Sequence, residues 1–315
     1  MRDQFIAELT KIAQADERVV LITGDLGFGV LNDYREKLPR QFINAGVAEQ
    51  AMAGIAAGMA LEGHKVFIYS IANFTFMRCL EQLRNDVAYH DLDVNVVSVG
   101  GGFSYGQLGM THHATEDLAI MRCMPTNVVA CPCTCDDVND VTKHIYNSTG
   151  LTYLRLDKSA PNEEQLKNNQ LQHDVLPRIV RHGNDATIVV SGGILGEAIH
   201  AVDQLLAEDI HVRLISIPLI KPLSMDLIVK ASYETGAIFT LEEHVVYGGL
   251  GSAVSEELME RGSYPQHFER IGLREKFTTV VGDQAYLRSS YGLGSEPIQS
   301  RVVEWLKTHQ YKKAA

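Results

Sequence analysis

Glu49 is the residue whose type and setting best suit proton chemistry. Its neighbours include Gly46, Val47, Ala48 and Ala51, which are small or apolar. A glutamate in the first turn of a helix is also common on protein surfaces, where its charge complements the helix dipole. Such a surface would supply polar neighbours. The apolar neighbours predict instead that Glu49 enters a packed site, in which desolvation raises its pKa and suits it to exchange protons.

A second candidate is His112, in a loop that begins near Gly106 and leads into the acidic helix start at Glu116 and Asp117. The loop follows a predicted strand, and ligands of parallel sheets collect at the carboxyl ends of the strands. A single histidine is more often a structural group than a catalytic one, so both interpretations stand at this point.

Aromatic side chains form a third group of candidates. Phe74 and Phe76 follow a predicted strand that contains Tyr69. Aromatic residues lie more often in a core, but a flat ring also offers a stacking surface at little cost in conformational entropy. These three residues are therefore candidates for holding a planar ligand.

The elements around these candidates have a clear hydrophobic pattern. The pattern predicts helices over residues 3–15, 77–88 and 137–146 and a further helix within residues 44–63 that has Glu49 near its start. It predicts strands over residues 18–24, 41–44, 66–69, 94–99 and 127–131. Thr134 or Asp136 is a suitable N-cap for the last of these helices. Apolar strands that alternate with helices indicate a mainly parallel sheet covered on both faces.

The same alternation returns after the polar stretch 159–174, which suits a surface linker. Strands are predicted over residues 186–193, 212–217 and 237–241, and helices over residues 197–207, 225–235 and 252–261. We therefore predict an α/β fold with two domains, each a mainly parallel sheet flanked by helices. The predicted domains are residues 1–165 and 186–315, joined by a linker at residues 166–185.

Composition excludes several classes of function. The chain has 315 residues and 45% hydrophobic residues, which is ordinary for a globular protein with two domains. The sequence has neither an apolar run of membrane-spanning length nor a signal peptide, so we expect a cytoplasmic protein without a membrane partner. The net charge of −11 argues against nucleic acid as a partner.

The cysteines at positions 131, 133 and 135 are close enough in sequence to suggest a metal site. A structural zinc site generally needs a fourth ligand from a second, separated pair, and the sequence has no such pair. We therefore expect no metal site in this chain.

The stretch around Glu49 resembles the aminopyrimidine-binding domain of thiamine diphosphate enzymes. The run from Thr111-His112 to Glu116-Asp117 is similar to the pattern of the transketolase branch of these enzymes. The resemblance implies that Glu49 hydrogen-bonds N1′ of the cofactor's pyrimidine and promotes its imino form. It also implies that His112 contacts the ketone oxygen of the substrate.

Similarity to transketolases made of separate subunits implies that Phe74 stacks on the pyrimidine. A change of one residue in spacing would give this role to Phe76, and Tyr69 would line the same wall. His113 is expected not to act, because the family usually has glutamine at that position.

Two departures from the family pattern concern the substrate. The acidic pair of the family's Gly-Glu-Asp-Gly loop is Gln107-Leu108 here, and the histidine expected at the end of the preceding strand falls near Gly100. Loss of hydrogen-bonding groups weakens recognition of an ordinary sugar phosphate. Lys158 lies where the family often has an arginine for the substrate phosphate, and its charge can serve without bidentate geometry.

The family's motif for Mg²⁺ and the diphosphate, Gly-Asp-Gly with a later asparagine, is absent; the nearest match, Thr23 to Gly27, lacks the second glycine. The resemblance implies that a partner, the amino-terminal diphosphate-binding transketolase subunit, holds most of thiamine diphosphate and its Mg²⁺. Two copies of this chain would associate as a dimer within a heterotetramer.

The implied function is transfer of a two-carbon ketol unit from a ketose phosphate to an aldehyde. Three alternatives remain open from sequence: a β-subunit of a 2-oxo acid dehydrogenase, a relative of deoxyxylulose phosphate synthase, and a transketolase for a modified sugar. A non-catalytic scaffold with the same fold is disfavoured by the presence of Glu49 and His112.

Overall fold

Strands and helices alternate along the computed structural model, which describes residues 1–125, 128–166, 174–274 and 277–313. The strands are β1 (Val19–Thr23), β2 (Phe42–Asn44), β3 (Lys65–Ile71), β4 (Val94–Val99), β5 (Val128–Ala130), β6 (Thr152–Leu156), β7 (Arg178–Arg181), β8 (Ala186–Val190), β9 (Val212–Ser216), β10 (Leu219–Lys221), β11 (Ala237–Val245) and β12 (His267–Leu273). The helices are α1 (Arg2–Ala15), α2 (Asn32–Lys37), α3 (Glu49–Leu61), α4 (Ala72–Thr75), α5 (Leu80–Gln82), α6 (Asp117–Arg122), α7 (Cys135–Asn147), α8 (Leu195–Ala207), α9 (Asp226–Glu234), α10 (Leu250–Glu260), α11 (Gln284–Ser290) and α12 (Ser295–Lys313). The predicted α/β class is confirmed.

The first sheet carries the candidate residues. Within the described residues its strand order is β10-β5-β6-β4-β3-β1-β2, and all neighbours pair in parallel except β10, which is antiparallel to β5. Every residue of β1, β4 and β6 is buried, as expected for strands covered on both faces. Apolar residues of α1 and α7 pack on one face and those of α3 on the other.

The second sheet has the order β12-β11-β8-β9-β7 in the described part of the chain. Its strands pair in parallel except β7, which is antiparallel to β9. Strand β7 lies inside the range predicted as a linker, and residues 167–173 of that range lie outside the described residues. Strand β10 comes from the predicted second domain but completes the first sheet by pairing Leu219 with Ala130.

The predicted helix over residues 77–88 was wrong at its start and is not a regular α-helix in its second half. The range 77–88 contains a turn, then the short helix α5, and then the π-helical segment Leu83–Ala88. Before α5, the backbone N–H of Arg78 lies 3.4 Å from the carbonyl oxygen of Asn73, five residues back. The wide turn places Arg78 away from the path of a regular helix. Arg78 is part of the candidate site described below.

The start of α7 agrees with one of the two predicted caps. The Thr134 side chain accepts a hydrogen bond from the Asp137 backbone, and the Asp137 carboxylate accepts one from the Thr134 backbone. This reciprocal pair satisfies two backbone donors at the helix start. Asp136 is not the cap.

None of the helices in the described ranges combines the length and the apolar character that crossing a membrane requires.

Candidate functional site

Glu49 begins α3 and turns its side chain toward the carboxyl ends of β1 and β3. The residue is only 3% exposed. A Cβ atom added to Gly24 would lie 3.7 Å from Glu49 Cγ and 3.6 Å from Ser70 Oγ, so these side chains meet beside the end of β1. The Ser70 hydroxyl is buried and has no hydrogen-bond partner in the described structure. The site therefore holds a buried carboxylate beside an unsatisfied polar group.

The surroundings of Glu49 are less apolar than expected from sequence. Arg78 Nη1 donates a hydrogen bond of 2.8 Å to Glu49 Oε2. The Arg78 side chain is 46% exposed, so the ion pair joins a buried carboxylate to a cation at the protein surface. Sequence reasoning missed Arg78 because it lies 29 positions from Glu49, on a different element.

Phe74 lies between Arg78 and His112. The guanidinium carbon of Arg78 is 4.3 Å from the centroid of the Phe74 ring. The centroids of the Phe74 and His112 rings are 5.2 Å apart, and the rings meet edge to face at 70°. The structure thus brings together Glu49, Phe74 and His112, the three principal candidates from the sequence, along one edge of the sheet.

The other two aromatic candidates lie in the core. Tyr69 is 1% exposed and stacks with Phe5 of α1 at a centroid distance of 6.2 Å, on the face of β3 opposite Ser70. Phe76 is fully buried and packs edge to face on Tyr153. Burial also raises the pKa of Tyr69 above its usual range. Of the three aromatic candidates, Phe74 alone lines the cavity described below.

The loop that carries His112 is fixed by side chains on both sides. Asn73 Nδ2 donates hydrogen bonds to the carbonyl oxygens of Thr111, at 3.0 Å, and His113, at 2.7 Å. His113 is buried, with Nδ1 2.6 Å from Thr278 Oγ1. His113 therefore joins the loop to the carboxyl-terminal half, while the His112 ring remains partly exposed.

The surroundings of His112 favour its neutral form. Partial burial lowers its pKa below the ordinary value of 6.5, and the neighbouring His113 lowers it further. The Thr111 hydroxyl lies 3.0 Å from His112 Nδ1. When that hydroxyl donates to Nδ1, the imidazole proton lies on Nε2 and is available to a substrate oxygen.

Tyr105 occupies the space where the family histidine was expected. A side chain at Gly100 would collide with the Tyr105 ring, and Gly100 has a φ of +86°, which disfavours other residues. Lys158 Nζ lies 3.7 Å from the centroid of the same ring, and His112 approaches it at 6.5 Å. Desolvation lowers the pKa of Lys158, and Arg2 adds to this effect. Sequence reasoning did not identify Tyr105.

A cavity of about 680 Å³ opens beside Phe74, between the first sheet's loops and the carboxyl-terminal half. Its wall is mainly apolar. It is lined by Asn73, Phe74, Met77, Arg78, Met110, Thr111, His113, Thr115, Glu116, Ile120, Val245, Leu273, Phe277 and Thr278.

Glu49, Phe74 and Ser70 fit the pyrimidine of thiamine diphosphate. The buried Glu49 carboxylate suits a ring nitrogen, the partly exposed face of Phe74 suits a flat ring, and the unsatisfied Ser70 hydroxyl offers another polar contact. The described residues contain no group of three histidine, cysteine or acidic side chains placed to hold a metal ion.

The clustered cysteines are in two environments. Cys131 and Cys133 are buried, and burial raises the pKa of Cys133 to about 12. Cys135 is exposed at the first turn of α7. The buried thiols therefore behave as small core residues.

Family models match nearly the whole chain. The model described as the transketolase pyrimidine-binding domain matches residues 1–163, and that described as the transketolase C-terminal domain matches residues 177–298.

Individual proteins agree with these matches. The chain is 34% identical to a subunit of apulose-4-phosphate transketolase from Phocaeicola vulgatus, over 97% of each chain. It is 31% identical to the 6-deoxy-6-sulfo-D-fructose transketolase subunit SqwH of Clostridium sp. strain MSTE9, over 95% of this chain and 92% of that one. A solved structure described as a split gene transketolase in an inactive beta4 tetramer superposes with a TM-score of 0.87, at 30% identity over 97% of this chain and 98% of that one.

Proposed function

This chain belongs to the transketolase family, and we propose that it is the pyrimidine-binding subunit of a two-component transketolase. The enzyme would transfer a two-carbon ketol unit from a ketose phosphate to an aldehyde. The observation that carries the proposal is the convergence of Glu49, Phe74 and His112 at one edge of the first sheet.

Each of these residues has a separate task. Glu49 holds a proton at N1′ of the pyrimidine, and its burial keeps bulk water from competing for that proton. Phe74 offers its ring face to the pyrimidine. His112 donates a hydrogen bond to the ketone oxygen of the substrate. Negative charge develops on this oxygen as a bond forms to the carbonyl carbon. Thiamine diphosphate, when bound, supplies the nucleophilic carbon and the electron sink.

We propose that the diphosphate and its Mg²⁺ are held by an amino-terminal partner subunit. Mg²⁺ prefers oxygen ligands in octahedral geometry, and the described residues of this chain offer no such cluster. The relatives described as subunits and the split gene transketolase support an assembly of two kinds of chain. The proposed assembly is a heterotetramer with two copies of each chain.

Lys158 is the proposed partner of an anionic group on the substrate. Its ammonium group lies over Tyr105, whose ring also approaches His112, so one substrate can reach both residues. The two relatives are named for apulose-4-phosphate and 6-deoxy-6-sulfo-D-fructose, each of which carries an anionic group.

A modified sugar is the favoured substrate class. Leu108 and Met110 are half exposed, at 55% and 50%, in the loop where the family has an acidic pair. Tyr105 fills the space of the expected histidine at Gly100. The Leu108 side chain offers no hydrogen bond to a hydroxyl of an ordinary sugar, and a hydroxyl that binding buries without a partner costs about 1 to 3 kcal/mol. We expect a sugar that lacks or replaces that hydroxyl to have the higher kcat/KM, measured against xylulose 5-phosphate.

Calorimetric titration tests the two-subunit proposal. Thiamine diphosphate with Mg²⁺ is titrated into this chain alone and into its complex with the candidate amino-terminal subunit. We expect tight binding only in the complex, because this chain provides the pyrimidine site without the metal ligands. Tight binding to the isolated chain would contradict the proposal that two subunits share the site. An absence of binding to both samples would contradict the proposal that thiamine diphosphate is the cofactor.

A further inference from the structure

The Arg78 guanidinium covers both surfaces that the pyrimidine would need. Its Nη1 donates to Glu49 Oε2 at 2.8 Å, and its central carbon lies 4.3 Å from the Phe74 ring centroid. A flat ligand stacked on Phe74 would need the space directly above that ring. The guanidinium and a pyrimidine stacked on the same face of Phe74 therefore cannot be present together.

The two groups also have similar chemistry. A guanidinium is planar and delocalised, stacks on aromatic rings and presents N–H donors to a carboxylate. A 4-aminopyrimidine is likewise planar and, when protonated at its ring nitrogen, presents an N–H donor in the ring plane. Arg78 thus satisfies the same carboxylate and the same ring face that the cofactor would use.

We infer that Arg78 is a further residue of the cofactor site, which holds Glu49 and Phe74 in the cofactor-free chain and is displaced when an aminopyrimidine binds. The inference rests on the proposed function. Glu49 is nearly buried, and an unpaired buried charge is costly, so the ion pair stabilises the site before the cofactor arrives.

The position of Arg78 allows this displacement. Its side chain is 46% exposed, so the guanidinium can move into water without crossing the core. It lies in the wide turn between α4 and α5, and its backbone N–H bond to Asn73 is long, at 3.4 Å. The hydrogen bond to Glu49 and the contact over the Phe74 ring are both made by the guanidinium, so a change of side-chain rotamer breaks both.

The test compares cofactor binding to the complex of this chain with its amino-terminal partner. Three forms are titrated with thiamine diphosphate and Mg²⁺ by calorimetry and by stopped-flow mixing: wild type, Arg78→Met and Arg84→Met. We expect Arg78→Met to bind about threefold to tenfold more tightly and to associate faster, because no ion pair or cation–π contact must be broken first. Arg84 is a matched control, since it is exposed and its guanidinium donates to the side chain of the adjacent Asn85.

The variant Arg78→Lys separates the effect of the positive charge from the effect of the planar guanidinium. It keeps a cation near Glu49 but removes the planar group over Phe74, so we expect an affinity between those of wild type and Arg78→Met. A second readout is the Arg78 side-chain Nε–Hε signal in nuclear magnetic resonance spectra, assigned by its loss in Arg78→Lys. We expect this signal to lose the shift caused by the Phe74 ring when the cofactor saturates the complex.

The outcomes distinguish the inference from the proposed function. If wild type and Arg78→Met bind equally, or the variant binds more weakly while wild type binds, displacement of Arg78 is rejected and the proposed function stands. An unchanged Arg78 signal at saturation rejects it as well. If the wild-type complex binds no thiamine diphosphate, the proposed function and this inference both fail.

Discussion

At the scale of single residues, the site depends on how each side chain is paired. Glu49 is buried against the carboxyl ends of β1 and β3 and paired with Arg78. His112 is partly exposed and contacts Phe74 and Thr111. In the proposed function, these differences in burial distinguish Glu49, which would hold a proton on the cofactor, from His112, which would contact the substrate. Each role makes a distinct prediction.

Glu49→Gln removes the carboxylate while keeping its shape. Because an amide does not exchange protons with N1′, we expect kcat/KM of the complex to fall at least about 100-fold. The steady-state transketolase assay measures this, with circular dichroism to show that the variant folds. Glu62→Gln, an exposed change at the end of the same helix, is the control and should retain wild-type activity. Substantial activity in Glu49→Gln would exclude the proposed role.

The pH dependence of kcat/KM reports the protonation of His112. Burial and His113 lower the pKa of His112 below 6.5, so the free enzyme keeps a neutral imidazole at pH 7. If neutral His112 donates from Nε2, activity stays level above pH 6.5 and falls only as the pH drops through the lowered pKa. In His112→Asn the activity is lower and this acid limb disappears. A limb that begins above pH 6.5, or persists unchanged in the variant, would contradict the assignment.

At the scale of elements, α4 and the turn after it organise the site. This short helix carries Asn73 and Phe74, and the turn after it carries Arg78. Asn73 ties the His112 loop to α4 through two backbone carbonyls. The Asn73 amide therefore contributes to the position of His112 relative to Phe74.

Asn73→Ala should loosen this loop. Loss of two donated hydrogen bonds is expected to lower the free energy of unfolding by about 1 to 2 kcal/mol, measured by urea denaturation. Amide hydrogen exchange over residues 109–113 should become faster, and kcat/KM should fall because His112 is less well placed. Asn85→Ala, at an exposed position of the π-helical segment, serves as the control. Equal exchange rates in the two variants would show that the Asn73 side chain does not hold the loop.

At the scale of the whole molecule, buried polar groups join the two halves. Arg155 of β6 is 2% exposed, with Nη1 3.2 Å from Asp117 Oδ1 and Nη2 2.8 Å from the Glu243 carbonyl oxygen. The Glu243 carboxylate accepts from the Phe103 backbone and pairs with Arg288. These contacts connect the strand that carries Lys158 at its end to the carboxyl-terminal sheet.

Arg155→Met should weaken this connection strongly. Removing one member of a buried ion pair leaves Asp117 uncompensated, at a cost of about 3 to 5 kcal/mol in the free energy of unfolding. Chemical denaturation measures this value. Arg261→Met, which breaks an exposed i, i+4 pair with Glu257, should change it by about 0.5 kcal/mol or less. A similar small effect in both variants would show that the buried network does not join the halves.

The order of the amino acids was enough to predict the α/β class, the family and three residues that meet in the site. Alternation of apolar strands and helices is a local pattern, and it survives folding because each element must bury its apolar face. Glu49 could be chosen because it opens a helix among apolar residues, whereas Phe74 and His112 were chosen through the resemblance to the transketolase pattern. The choice of Thr134 or Asp136 as cap needed the backbone geometry.

Which side chains share a surface became clear from the three-dimensional fold. Tyr69 and Ser70 point to opposite faces of β3, and packing of α1 against one face buries Tyr69 there. Strand β10 crosses to the first sheet because its backbone pairs with β5, which no local pattern reveals. Arg78 reaches Glu49, which lies 29 positions away in the chain, from a wide turn, and a sequence pattern records spacing along the chain rather than proximity in space.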